Sequence, residues 1–276
     1  MNDTNDDDLQ LSAESETLKY PVQDYLQEAK LKHEEKQRDD SPPPTKLPMV
    51  VGVFEFPWYL QSLGAWIPMS LMMLVAGGMM AYFVVYGLQM GGVGVRTVGI
   101  SACMATAFAF AYASACCLTV IEETGSGRNV IDEWPNALDW KEWAWGLVFM
   151  LIMLLESAFV AFIPTVGFTP WSWLPFVFLT IAIFPYVVLS SLEADTMVPV
   201  SKAVFQSLSK NTVAWLVFYG CYFGVWLVWL TVSVVAGFIV LWGAVLVSMP
   251  LFAAMLLIHA RLLGRLAWCI GKRSDS

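Results

Sequence analysis

From about residue 48 onward the chain alternates long apolar runs with short polar interruptions. A bilayer core of ~30 Å is crossed by about 20 helical residues at 1.5 Å rise each. Four runs have that length directly: about 65–88, 98–121, 144–166 and 171–192. The last run, Thr212 to Ile258, is 47 residues long, or roughly 70 Å as one helix. That is too long for one crossing, so it predicts two spans, about 212–233 and 237–259, joined by a tight turn near Ser233 to Gly237. The reading is an all-α, polytopic membrane helix bundle with six transmembrane helices in residues 48–276. Residues 1–47 precede it as a separate segment.

Composition agrees with this pattern. Of 276 residues 58% are hydrophobic and 14% charged, against roughly 25% charged in an average soluble domain. The charge is uneven: residues 1–47 carry 12 of the 23 acidic residues and 6 of the 15 basic ones. That segment has too few apolar residues to offset the entropy of ordering, and it is expected to be a disordered acidic tail. One stretch beginning at Pro21, with Tyr25, Leu26 and Ala29 on one face, has helical spacing that ends before Pro42-Pro43-Pro44. No basic segment leads into an apolar one at the start, so no secretory signal peptide is expected. Lysines and arginines fix the expected orientation. With the N-terminus inside, 14 of them lie on the cytoplasmic side, and Arg96 is the one on the other. Both termini are therefore expected to be cytoplasmic, in the cell inner membrane.

Helices in lipid associate through close packing, which favours small residues at contacts. In span two Ser101, Ala105, Ala109, Ala113 and Cys117 repeat every four residues and form a thin stripe, so this span is expected to be central. Gly220 and Gly224 in span five form a similar pair, as do Ser157 and Ala161 in span three. Pro175, Pro185 and Pro250 fall inside spans and remove backbone donors there. Trp58, Trp66, Trp143, Trp145, Trp171 and Trp173 sit near span ends, where aromatic belts form. Mixed polar and apolar segments before the odd-numbered spans are spaced as interfacial helices: Phe54 to Leu63, Asp139 to Trp143 and Val204 to Leu208.

Candidate chemistry is sparse. Glu156 is the acid in the middle of a span, where a charge costs about 2.5–3.5 kcal/mol on insertion scales. It is expected to be neutral and hydrogen-bonded, with Ser157, Thr180 or Tyr186 as donor. It is the candidate proton or cation site, weighed against a purely structural interhelical bond. Arg261, Arg265, Lys272 and Arg273, interleaved with Leu262, Leu263, Leu266 and Trp268, make a basic amphipathic end. That end is suited to anionic lipid headgroups. The loop Glu122-Glu123-Thr124-Gly125-Ser126-Gly127-Arg128 invites comparison with CAAX-type intramembrane proteases. Four residues separate the glutamate pair from the arginine where that family has three, and the histidines are His33 in the tail and His259 in span six. A surface turn is the better reading. Two histidines and five cysteines, mostly in apolar surroundings, predict neither a metal site nor a disulfide. No cofactor, no catalytic residue and no nucleic-acid partner are expected.

Three short motifs carry a resemblance. They are Phe56-Pro57-Trp58, Asp132-Glu133-Trp134-Pro135, and Leu192-Glu193-Ala194-Asp195 followed by Pro199 and Ser201-Lys202-Ala203. Over roughly residues 50–270 the chain resembles uncharacterised multi-pass bacterial membrane protein families of about six helices. The resemblance implies the fold and no catalytic residues. Two functions stay open. One is an accessory or scaffold component of a membrane complex, contacting the bilayer and a protein partner through its tail or cytoplasmic loops. The other is a transporter or channel subunit that uses Glu156.

Overall fold

The computed structural model describes residues 51–86, 92–131, 133–136, 139–165, 173–194, 201–239 and 241–274, and the tail lies outside them. The described residues form one 3-10 turn, Phe56–Trp58, and seven helices without strands. The helices are α1 (Leu60–Val85), α2 (Gly92–Gly125), α3 (Trp140–Thr165), α4 (Trp173–Ala194), α5 (Lys202–Lys210), α6 (Thr212–Ile239) and α7 (Leu241–Ser274). All but the nine-residue α5 are long and apolar enough to span a membrane, so the chain is a multi-pass helical membrane protein.

Helix ends follow local chemistry. α1 begins at Leu60, earlier than the apolar run at 65, because Leu60 to Gly64 continue the helix into the span. α2 extends through Glu122 and Glu123 to Gly125, 34 residues or about 51 Å. It closes with the Ser126 amide on the Glu122 carbonyl and the Arg128 amide on that of Glu123. Gly127 makes the exit at φ +90°, a conformation that favours glycine, and a Cβ there would sit 2.9 Å from the Trp268 indole nitrogen. The expected turn at Ser233 to Gly237 is not there: α6 runs as helix through those residues to Ile239, and α7 begins at Leu241. No proline or charge interrupts α6 within that stretch. Of the expected interfacial segments, Lys202–Lys210 forms a separate helix capped by Ser201, whose hydroxyl accepts from the Ala203 amide. Its Val204 and Ser207 are buried and Phe205 is exposed. The segment before α3 is simply its first turn.

α2 and α7 are the centre. α2 packs on α1, α3 and α7, while α7 also holds α1 and α6. In α2, 56% of the span is buried, against 6% in α6, which is therefore peripheral. The core joins Met69, Met73, Tyr112, Val120, Leu257 and Leu262, among others. Within the small-residue stripe of α2, Ala109, Ala113 and Cys117 are buried, Ala105 is half-buried and Ser101 is exposed. The tightest approaches lie elsewhere. A Cβ on Gly146 of α3 would sit 2.9 Å from the Ala115 amide nitrogen. One on Gly264 of α7 would sit 2.8 Å from the Ile121 carbonyl oxygen and 2.6 Å from the Thr124 Cβ. A Cβ on Gly220 or Gly224 meets nothing within 4 Å, so neither glycine of that pair marks a close helix crossing: α6 has no neighbour on that face.

The contrast is testable. Gly264→Ala should lower the thermal midpoint of the purified protein, because overpacking against backbone costs about 1–3 kcal/mol. Gly220→Ala should leave the midpoint unchanged or raise it, since alanine favours helix by about 1 kcal/mol over glycine. Equal behaviour of the two variants in a detergent melting series would contradict this packing.

Candidate functional site

Two features of the bundle contain its interior chemistry: a buried arginine at one end of the α2–α7 pair, and an apolar cavity along α2. The arginine corrects an expectation. Arg261 does not reach lipid headgroups; it is 2% exposed. The sequence places it just past the apolar run that ends at Ile258, but α7 continues as helix beyond it and its side chain turns inward to α2. Its Nη1 donates to Thr124 Oγ1 at 2.8 Å and its Nη2 to the Asn129 carbonyl at 2.7 Å. The guanidinium carbon lies 4.7 Å from the centre of the Phe56 ring. A neutral hydroxyl, a carbonyl and an aromatic face thus hold a buried cation, with its Nε left unmatched. Arg265, one turn on, is half-buried and donates to Asn129 Oδ1 at 3.0 Å. The side chains of Lys272 and Arg273 lie outside the described residues. Beside this cluster Tyr59 donates to Glu55 at 3.2 Å, and burial together with that carboxylate pushes its phenol pKa upward.

The loop after α2 is a surface turn with an ion pair, Arg128 to Glu123 at 2.9 Å. Asp132 lies outside the described residues, while Glu133 is exposed and Trp134 half-buried. None of the five cysteines is joined in a disulfide. Among the described residues no group of histidine, cysteine and acidic side chains is placed to hold a metal ion.

Glu156 is half-buried on α3. The hydroxyls expected to serve it are turned to their own helices: Ser157 donates to the Met153 carbonyl at 2.7 Å, and Thr180 to that of Phe176 at 2.8 Å. Such back-bonding to the residue four earlier is the nearest option for a hydroxyl in a helix. Tyr186 Oη and Glu156 Oε2 are both buried and without a hydrogen bond. The expected interhelical bond to Glu156 is therefore not formed by these three groups.

The cavity measures about 700 Å³. α2 lines it from Cys103 to Ile121, α3 from Leu147 to Leu154, and α7 from Leu256 to Leu263. Pro185 of α4 and Tyr222 of α6 close another side. These last two are chemically linked. Proline has no N–H, so Pro185 leaves the Ile181 carbonyl without its helical donor. The Tyr222 hydroxyl donates to that carbonyl at 3.3 Å, and Tyr219 donates to the next, Ala182, at 2.7 Å. The Tyr222 ring lies 4.4 Å from the His259 ring, edge to face. His259 Nε2 is 3.1 Å from the Tyr222 carbonyl oxygen, which can only accept, so that nitrogen carries a proton. Sequence reasoning missed Tyr222 and assigned His259 no role. The available signal was a proline in span four facing two tyrosines three residues apart in span five.

In comparisons with known proteins, no family model, no curated protein and no solved structure matches this chain.

Arg261 should behave as a structural lock. Arg261→Ala leaves Thr124 and Asn129 without their charged donor and should cost about 2 kcal/mol or more, because hydrogen bonds to charged groups contribute roughly 1.5–3 kcal/mol. Arg261→Lys keeps the charge but loses the fork and the planar stacking, and should fall between Ala and wild type. Unfolding midpoints for the three proteins measure this, and a lysine variant as stable as wild type would rule out the forked geometry.

Proposed function

We propose that the chain is an accessory or scaffold component of a membrane complex. In this reading it lies in the cell inner membrane with both ends cytoplasmic, and it binds protein partners through its acidic tail, its cytoplasmic loops and its outer helix flank. The observation that carries the reading is the peripheral position of α6. With 6% of its span buried, α6 leaves Leu216, Leu227, Val228 and Val234 facing outward along its length. The exposed Phe205 of α5 stands at its foot. Such a flank has room for a helix of another membrane protein. The basic residues of the 122–141 and 202–210 segments support the cytoplasmic assignment of that end. Interior hydroxyls at Thr106, Thr119, Ser157 and Thr180 bond carbonyls of their own helices, which suits a structural bundle better than a polar pathway. No enzymatic activity is part of this proposal.

Gentle extraction from native-level membranes, followed by mass spectrometry of the purified particle, tests it. The expected result is a stoichiometric protein partner that is lost when residues 1–47 are deleted. A monodisperse particle of this chain alone, insensitive to that deletion, would overturn the reading.

One observation favours a second reading, a transporter or channel subunit: Glu156 has a buried carboxyl oxygen with no hydrogen bond. Ionisable groups in spans are costly and often serve transport. If Glu156 carries protons or cations, proton flux into liposomes should fall at least tenfold in Glu156→Gln. Equal flux in the two proteins removes this reading.

A further inference from the structure

The cavity has the length of a lipid chain. Its wall on α2 runs from Cys103 to Ile121, a rise of ~27 Å at 1.5 Å per residue, close to the ~30 Å hydrocarbon core of a bilayer. Neighbouring helices cover different levels of that length. Cys117 Sγ reaches the Leu256 carbonyl at 3.8 Å, and Gly264 abuts Ile121, so the α7 wall from Leu256 to Leu263 covers the Ile121 end. The α3 wall begins at Leu147, beside the Gly146–Ala115 approach, and continues to Leu154. A volume of about 700 Å³ along that wall leaves room for an extended hydrocarbon chain.

The lining is of the right chemistry. It is built from Met, Leu, Ile, Phe and Ala, with few polar groups. Water needs two to four polar partners in a cavity, and an apolar cavity of about 150 Å³ already takes up a benzene-sized molecule in preference. This cavity is more than four times larger. The few polar groups are Thr106 and Ser114 on α2, Tyr222 and Trp226 on α6, and His259 on α7; Thr106, Tyr222 and His259 are bonded within the protein. Trp226, also on the wall, has a buried indole Nε1 with no hydrogen bond. Access exists from the side: Cys103, Ala107 and Leu151 line the cavity and are exposed.

We propose that this cavity is a binding site for one long hydrocarbon chain of a membrane lipid, lying along α2 between α3 and the α6–α7 pair. Two sources share that chemistry, a phospholipid acyl chain and a free fatty acid, and competition separates them. The site does not depend on the scaffold reading.

The experiment uses the full-length protein in phosphatidylcholine vesicles with a diazirine-bearing palmitic acid and a phosphatidylcholine carrying the same chain. Crosslinks are mapped by peptide mass spectrometry. The expected result is saturable labelling of the 103–121 and 256–263 segments by at least one probe. Excess unlabelled competitor of the same class should suppress it, and Ala107→Trp should reduce it at least fivefold. Leu216→Trp, on the outer flank of α6 and 67% exposed, should not change it. Leu151→Trp provides a second obstruction if Ala107→Trp fails to elute as a folded monodisperse particle. Labelling by the phosphatidylcholine probe identifies a phospholipid chain, and labelling by the fatty acid alone identifies the free acid. Unsaturable labelling spread over outward residues such as Phe238, or labelling untouched by both tryptophan variants, would overturn the proposal.

Discussion

A membrane interior supplies no water to backbone polar groups, so each N–H and C=O within it must be matched inside the protein. Every proline within a span breaks that condition at the carbonyl four residues earlier. At Pro185 the break is repaired from a different helix, by the Tyr222 hydroxyl on the Ile181 carbonyl. Near Pro250 two indoles also bond carbonyls of another helix. The Trp66 indole reaches the Pro250 carbonyl at 3.3 Å, and the Trp229 indole reaches that of Ser248 at 3.1 Å. Trp66 thus ties α1 to α7, while Tyr219, Tyr222 and Trp229 tie α6 to α4 and α7. At Pro185 the proline does more than bend its helix: it creates the acceptor to which α6 is tied.

The same demand explains the arginine. A guanidinium with no surface access needs several acceptors at once, and Arg261 finds them only because α2 ends where it does. Thr124 is in the last turn of α2, and Asn129 follows the Gly127 exit. Gly264, three residues on and on the same face of α7 as Arg261, lets α7 approach closely enough for the guanidinium to reach them. Phe56, from the turn before α1, closes the ring side. Three separate segments thus converge on one side chain of α7. Their convergence fixes the depth of α7 relative to α2 more sharply than apolar contact does, because apolar contact is indifferent to a sliding shift and hydrogen bonds are not.

Much of the architecture was legible because the bilayer imposes a local rule. Length and apolarity alone define a span, and neither depends on distant contacts. Where α6 ends and α7 begins was not legible, because the stretch from Ser233 to Leu241 carries neither charge nor proline. Gly220 and Gly224 misdirected the packing argument for a similar reason: a thin helix face becomes a contact only if a neighbour arrives, and sequence does not place neighbours. Arg261 was read with the basic C-terminal end by proximity in sequence. Its four-residue spacing from Arg265, with leucines filling the opposite positions, marks a polar stripe but not which way that stripe faces. Tyr222 was invisible for a different reason. Its role exists only across the gap between two helices, 41 residues from its acceptor.

The two interior features divide the bundle. Toward the end of α2, Gly264 brings α7 against the Ile121 carbonyl and Thr124, and Arg261 bonds Thr124 and Asn129. Farther back along α2, Cys103, Ala107, Ala113 and Cys117 line the cavity, with Cys117 Sγ also 3.8 Å from the Leu256 carbonyl. A small residue permits either a close crossing or a cavity, and which one results depends on the other helix. At Gly146 and Gly264 the partner brings backbone, so the helices touch. Across the cavity Ile181, Phe184 and Pro185 of α4 form a wall, and the Ile181 and Ala182 carbonyls accept from Tyr222 and Tyr219 of α6. Tyr222 therefore both satisfies the acceptor that Pro185 leaves open and lines the cavity, which joins the repair of a single proline to the wall that a guest would meet.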